Sequence, residues 1–231
     1  MSTAQRIIKY CAIGFAAFLI VTILSSIIFG VLGIVTAGKI IKSNSEISLS
    51  CDAEEKACIS ITIAASELEI KKGEELKVET KNEKVDVKQE GNVLTVVENG
   101  SNWNWFGKNA DKNIVVYVPE DLEFEKAGIS GGAGRIYVEK LNAKELEVAL
   151  GVGETVIDAL ETENAKINAG IGSVKINLLS KSEEYTINMS KGLGAMSFNG
   201  EGLGNDATFG TGDRKIEISG GIGEFIVKTA E

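Results

Sequence analysis

The feature that most constrains this chain is a Gly-x-Gly motif that recurs five times toward its C-terminal end, at a spacing of about twenty residues. The glycine pairs are Gly132 and Gly134, Gly151 and Gly153, Gly170 and Gly172, Gly192 and Gly194, and Gly221 and Gly223. A repeat of this length is typical of a solenoid, in which each unit buries its apolar face by stacking on its neighbours. We therefore predict an all-β fold, a β-solenoid of the β-helix or β-roll type.

Apolar residues alternate with polar ones on both sides of each motif. In the second repeat, for example, Leu146 and Val148 precede the glycines, and Thr155 and Ile157 follow them. Period-two alternation places such residues on one face of a strand. Each repeat is thus predicted to consist of two strands that meet at a glycine corner.

Two further sets of apolar residues are predicted to be interior. One is the middle residue of each motif, assigned to the inside of the corner. The other is a leucine seven positions after the second glycine, which should close the coil. The two sets are Ala133, Val152, Ile171, Leu193 and Ile222, and Leu141, Leu160 and Leu179.

The motif glycines are interpreted as backbone devices, because glycine tolerates positive φ and a close approach between chains. A phosphate cradle is disfavoured, since none of the first four motifs continues to a third glycine or into a helical pattern. A calcium-binding roll is also disfavoured, because its nonapeptide spacing and its aspartate are missing. We predict no cofactor and no metal site.

A long uncharged stretch stands near the N-terminus. No charge interrupts the chain between Lys9 and Lys39, and most of these residues are aliphatic. That length is sufficient to span a bilayer with some tilt, and no clear cleavage site follows it. We predict a cytoplasmic segment at 1–9, an uncleaved transmembrane signal anchor at 10–38, a linker at 39–45 and one extracytoplasmic domain at 46–231.

The charge of the chain restricts its partners. The net charge is −9, and since Arg6 and Lys9 are the only charges in the first 38 residues, the remainder carries −11. Phosphate binding requires clustered lysine and arginine, so nucleic acid is not an expected partner. The balanced charges around the apolar stretch do not fix its orientation. The acidic, β-rich remainder is typical of an exported domain, which places it outside the cell membrane.

Cys51 and Cys58 flank a polar segment that is predicted to turn. In an exported domain a disulfide closing this loop is expected, with two unpaired thiols as the alternative. Two cysteines in a chain without histidine make a poor zinc site.

The region between the anchor and the repeats is also predicted to be β structure. Short apolar or alternating runs are separated by turn residues. These runs are 58–63, 67–70, 76–80, 85–89, 93–98 and 114–118.

Three features together resemble a known family, the putative adhesin, β-strand-repeat domains of bacterial and some archaeal envelope proteins, whose function is unknown. They are the strand pair over 87–97, the run 114–119 that ends at Pro119, and the Gly-x-Gly succession that begins at Ser130. The resemblance implies a tethered extracytoplasmic β-solenoid without established catalytic residues. Family members usually have aspartate after the second glycine, and this chain has Arg135, Glu154, Ser173, Ala195 and Glu224 there.

The candidate binding residues are Trp103, Trp105 and Phe106, within a polar loop rich in asparagine and glycine. Exposed aromatics in such loops commonly bind sugars, proteins or the membrane interface. The alternative is that they cap an open end of the solenoid.

Catalysis is not expected, because the chain has no histidine to act as a general base near neutral pH. Outward residues such as Glu139, Asp158, Asn177, Asn199 and Lys228 should instead form a polar ladder. The sequence therefore predicts a non-catalytic interaction or adhesion module, tethered at the cell envelope, whose partner is an envelope polysaccharide or another membrane protein. The alternative functions are an accessory sensor of envelope stress and, less favoured, a polysaccharide-active enzyme.

Overall fold

A computed structural model describes residues 47–49, 57–99 and 113–230, and these form an all-β fold, as predicted. Before the repeats the strands are β1 (Ile47–Leu49), β2 (Ala57–Ile63), β3 (Glu67–Gly73), β4 (Leu76–Thr80), β5 (Val85–Glu90), β6 (Val93–Glu98) and β7 (Asn113–Pro119). The six strands predicted in this region are all present, and each boundary lies within three residues of its predicted position.

The repeats form strands that continue through the Gly-x-Gly corners without interruption. They are β8 (Glu123–Val138), β9 (Leu141–Lys181), β10 (Tyr185–Phe198), β11 (Glu201–Gly202), β12 (Asp206–Phe209) and β13 (Arg214–Ala230). Because β9 extends over 41 residues, it runs through two corners and makes two coils. A short 3-10 turn, Ser182–Glu184, separates β9 from β10.

The coils stack in parallel register with their corners aligned. Gly134 is paired with Gly153, Gly223 with Gly172, and Gly194 with Gly223. We call the segments before each corner the first face and those after it the second face. Inward side chains from both faces belong to one hydrophobic cluster, so the two faces share a core.

The stacking order differs from the chain order at the C-terminal end. β13 lies between β9 and β10, and it pairs with both in parallel. The irregular segment 199–214 supplies the chain length for this exchange. It contains β11 and β12, which pair antiparallel with β10 and cover its outer edge. This segment thus belongs to the sheet.

At the other end, the first coil has no glycine motif. β2 and β3 pair in parallel with the two halves of β8, and residues 64–66 form the corner between them. Beyond this coil the faces separate. The first face continues through β6 to β5, and the second through β7 and β4 to β1.

The predicted alternation correctly identifies the interior of the repeats. The ten first-face positions that correspond to Leu146 and Val148 are at most 4% exposed; they are Ala127, Ile129, Leu146, Val148, Ala165, Ile167, Ile187, Met189, Ile216 and Ile218. Of the ten second-face positions that correspond to Thr155 and Ile157, only Phe198 is partly buried; the others are Ile136, Val138, Thr155, Ile157, Val174, Ile176, Met196, Phe225 and Val227. Each aliphatic side chain removed from water in this way stabilises the fold by about 1.5–3 kcal/mol.

Two predictions about interior residues are wrong. Leu179 is 44% exposed, and Leu178 is buried in its place, because strict alternation continues from Val174 in this coil. The middle residues of the motifs are exposed as well. Each stands between two glycines at the outside of the corner, where the chain turns around the core. The exposed middle residues are Ala133, Val152, Ile171, Leu193 and Ile222.

In the described part of the chain no helix is long and apolar enough to cross a membrane. The predicted anchor at 10–38 lies outside the described residues.

Candidate functional site

The most unusual surface feature is a row of exposed aliphatic side chains along the corner edge. We call it the apolar ridge and define it by the five middle residues of the motifs, in stacking order Ala133, Val152, Ile171, Ile222 and Leu193. Its four large members are 40–52% exposed. With strands about 4.8 Å apart, the ridge extends for roughly 19 Å. It is one residue wide.

The paired glycines cause this arrangement, and each glycine of a motif has its own role. The second glycine adopts positive φ, +141° at Gly153 and +144° at Gly172. The first glycine does not, but a Cβ built on Gly170 would overlap the carbonyl oxygen of Gly151 in the next coil. The coils therefore approach too closely for any side chain except at the middle position. That position projects outward by geometry, whatever its residue type.

The surfaces beside the ridge differ in charge. Over the five coils of the ridge, the nearest row on the first face is uncharged and consists of Ser130, Ala149, Asn168, Ser219 and Ser190, of which Ala149 is buried. At the end of this row, β12 adds Asp206 beside Ser190. The nearest row on the second face contains Arg135, Glu154 and Glu224, and Arg135 Nε lies 3.2 Å from Glu154 Oε2. The ridge and its neutral neighbour make a charge-free strip in a chain of which 25% of the residues are charged. Depletion of charge is the compositional mark of interface cores.

At the first coil, a buried carboxylate organises the corner that lacks glycines. Glu98 Oε2 accepts hydrogen bonds from the backbone N–H groups of Ala64 (2.7 Å) and Ala65 (3.1 Å). Its Oε1 accepts from Ser66 Oγ (2.7 Å) and Asn82 Nδ2 (2.9 Å). Burial raises the pKa of Glu98, but these four donors outweigh that effect and hold the pKa below its usual value.

This carboxylate is structural. Both of its oxygens are occupied by donors from the protein, and a lowered pKa is unsuited to proton transfer near neutral pH. No group of acidic or cysteine side chains within the described ranges is arranged to hold a metal ion.

The predicted binding residues Trp103, Trp105 and Phe106 lie outside the described residues, but both ends of their loop are placed. Glu98, where β6 ends, contacts the 64–66 corner. Asn113, where β7 begins, pairs with Glu67 just after that corner. The corner stacks directly on the Gly134 motif, because a Cβ on Gly134 would overlap the carbonyl oxygen of Ser66. The described residues on either side of 100–112 therefore lie beside one end of the apolar ridge.

The structure describes most, but not all, of the remaining predicted residues. Cys58 is half-buried at the start of β2, and its predicted partner Cys51 lies outside the described residues. In the polar ladder, Lys228 pairs with Asn177, whose Nδ2 donates to the carbonyl of Asp158 at 3.2 Å. Asn199 leaves this ladder, because it adopts φ of 47° at a turn.

The stacked parallel coils, the shared core and the aligned corners define the class as a β-solenoid-like domain. Within that class the chain belongs to the Toastrack DUF4097 family, whose model matches residues 57–219. No curated protein shows significant sequence similarity to the chain.

The same fold occurs in the crystal structure of a putative cell adhesion protein from Clostridium sporogenes. The two chains are 17% identical and superpose with a TM-score of 0.58 over 84% of this chain and 100% of the other. A putative adhesin from Bacteroides fragilis aligns over 82% of this chain and 99% of its own, at 11% identity, but its TM-score of 0.26 is too low to establish a shared fold.

Proposed function

We propose that this protein is a non-catalytic interaction module of the cell envelope, tethered by residues 10–38, and that it engages a protein partner through the apolar ridge. The solved protein with the same fold carries the name of a cell adhesion protein, which agrees with such a role. The observation that carries the proposal is the ridge itself. Four neighbouring coils each expose a large aliphatic side chain at the same position.

The middle position of the Gly-x-Gly motif does not require an apolar residue. A middle residue at the outside of the corner is in contact with solvent, so serine or asparagine would be accommodated equally well. Single exposed aliphatic residues are ordinary, but a contiguous row rimmed by polar residues marks an interaction surface.

A protein partner fits the surroundings of the ridge better than an anionic bilayer does. Glu154 and Glu224 border it on the second face, and the exported part of the chain carries −11. Negative lipid would repel this edge. The complementary surface is an apolar groove with basic residues at its rim. The loop of Trp103 and Trp105, whose described flanking residues lie beside the end of the ridge, would extend the same contact.

The proposal is tested by a matched pair of substitutions in the full chain. Ile171→Ser removes the centre of the ridge, whereas Leu179→Ser removes a side chain of similar exposure, 44% against 52%, that lies outside it. Cells that express each variant are treated with an amine-reactive cross-linker that does not cross membranes. We expect a cross-linked complex with the wild type and with Leu179→Ser, and its loss with Ile171→Ser at an unchanged melting temperature. Equal cross-linking of all three chains would refute the role of the ridge.

A further inference from the structure

We propose that the outer surface of the first face binds a neutral, hydroxyl-rich ligand, a saccharide unit of an envelope glycan. The site is a groove over β9, β13, β10 and β12, which we call the polar groove. The inference rests on the proposed function, because it names a second ligand of the same envelope module. It concerns different side chains from the ridge.

The groove contains a cavity of about 300 Å³ above four adjacent strands. One row of side chains crosses all four strands at the same level: Lys166, Glu217, Asn188 and Thr208. Thr208 Oγ1 donates to Asn188 Oδ1 at 2.9 Å. Among the described residues, Lys166 and Glu217 take part in no ion pair, although their strands are paired at these positions. The row thus offers a free ammonium and a free carboxylate to a ligand.

A second row lies two residues further along β9, β13 and β10 and two residues earlier on the antiparallel β12, and it contains an unpaired buried atom. It consists of Asn168, Ser219, Ser190 and Asp206. Ser219 Oγ donates to Asn168 Oδ1, but Asn168 Nδ2 is buried and has no partner among the described residues. Buried polar atoms in native proteins are nearly always paired, so an exception beside a cavity indicates an acceptor that is supplied from outside the chain.

The segment 199–214, which lengthens the last repeat, forms the wall of the groove. β12 carries Asp206 and Thr208, and Lys191 fixes the approach to this strand. The Lys191 N–H donates to the carbonyl of Asn205 at 2.8 Å, and its buried ammonium donates to Asn205 Oδ1 at 2.9 Å. Lys191 thus holds the connection between β10 and β13 against the sheet.

The groove continues into a neighbouring cavity of about 260 Å³, and the two cavities share Lys166 and Glu217. Taken together, the linings of the two cavities include three lysines and four acidic residues, so their charges nearly cancel. This balance contrasts with the strongly acidic domain around it. It disfavours a polyanion, which needs clustered basic residues, and equally a polycation. Two adjacent cavities suit a ligand with at least two similar units.

Saccharides match this mixture of groups. Each sugar hydroxyl can both donate and accept a hydrogen bond, so it can be satisfied by an amide, a hydroxyl, a carboxylate or an ammonium, and the groove presents all four. An amide or ether oxygen of a sugar would accept from Asn168 Nδ2. A site built to pair with hydroxyl groups strongly rejects ligands that lack them, because its own polar atoms would then remain unpaired.

The test uses the full chain in nanodiscs of zwitterionic lipid, since sugar-based detergents would compete for the groove. The probes are chitotetraose, maltotetraose and a Gly-Ser tetrapeptide, and binding is measured by saturation-transfer NMR and calorimetry. We expect one of the two saccharides to bind, and Asn168→Ala and Thr208→Val each to weaken it about tenfold. Asn177→Ala, which removes an exposed asparagine remote from the groove, should leave binding unchanged.

Three outcomes would overturn the inference. Failure of both saccharides to bind at millimolar concentration would do so, as would equal binding by all variants, which would place the sugar elsewhere. Stronger binding of the peptide would reject the ligand class. If Asn168→Ala unfolds, Thr208→Val decides the result, because it preserves side-chain volume. Ile171→Ser should retain saccharide binding, so failure of the ridge and failure of the groove are separate results.

Discussion

The α-carbon of Gly172 packs so closely on the backbone of Gly153 in the preceding coil that a Cβ at Gly172 would overlap the carbonyl oxygen of Gly153. Positive φ at Gly172 adds to the restriction. We therefore expect Gly172→Ala to lower the free energy of unfolding by at least about 3 kcal/mol, measured by urea denaturation. Gly128→Ala is the control, because the nearest atom to its Cβ is 4.0 Å away. Equal stability of the two variants would contradict close coil packing at the corner.

Glu98→Gln should destabilise the domain near neutral pH by about 2 kcal/mol, since hydrogen bonds to a charged acceptor are lost and an amide donor faces the N–H groups of Ala64 and Ala65. Glu90→Gln, an exposed change on the same face, should have little effect. The measurement is urea denaturation of both variants at pH 7.

The contribution of Glu98 should also depend on pH in a defined direction. Its folded-state pKa is lower than the usual 4.5, so its stabilisation is complete above the unfolded-state pKa and is lost as the pH falls through the folded-state pKa. The stability difference between the wild type and Glu98→Gln should therefore shrink below about pH 4.5. A difference that stays constant down to pH 2 would show that the carboxylate is not ionised in the folded protein.

A double change of Trp103 and Trp105 to alanine separates two roles for their loop. If the loop extends the contact made by the ridge, the envelope cross-link should be lost while the melting temperature stays nearly unchanged. A much lower melting temperature would instead mean that the tryptophans cap the end of the stack. Calorimetry and cross-linking on the same preparation distinguish these outcomes.

The topology is tested by adding protease to intact cells. With 10–38 as an anchor and an extracytoplasmic domain, cleavage should occur beyond about residue 41, and an epitope at the C-terminus should be lost. Protection in sealed cells, followed by digestion after lysis, would reverse the orientation.

Alternation in the sequence predicts the strands and the core well, because burial on one side of a strand requires period two. At the corners, however, residue type predicts burial incorrectly. Val152 and Ile171 are as apolar as any core residue, and only the backbone crowding between glycines of neighbouring coils reveals that they must project outward.

Pairings between distant parts of the chain could not be predicted from the sequence either. The position of β13 between β9 and β10 depends on pairings across the whole repeat region, and a chain-order stack satisfies the same alternation. The polar groove is assembled from four strands that are far apart along the chain. The outward position of Asn168 or Asn188 could be predicted, but not the pairing of β12 with the strand of Asn188.

The displaced position of β13 means that the domain cannot be completed in the order in which it is synthesised. When β10 leaves the ribosome, the strand that will separate it from β9 has not yet followed. β10 must therefore stay unpaired until β13 has followed, or pair first with β9 and later separate from it. Removing Arg214–Ala230 would take out an inner layer and leave two unmatched strand edges. Unlike an ordinary solenoid, this one should therefore lose stability when it is shortened from its C-terminal end by one coil.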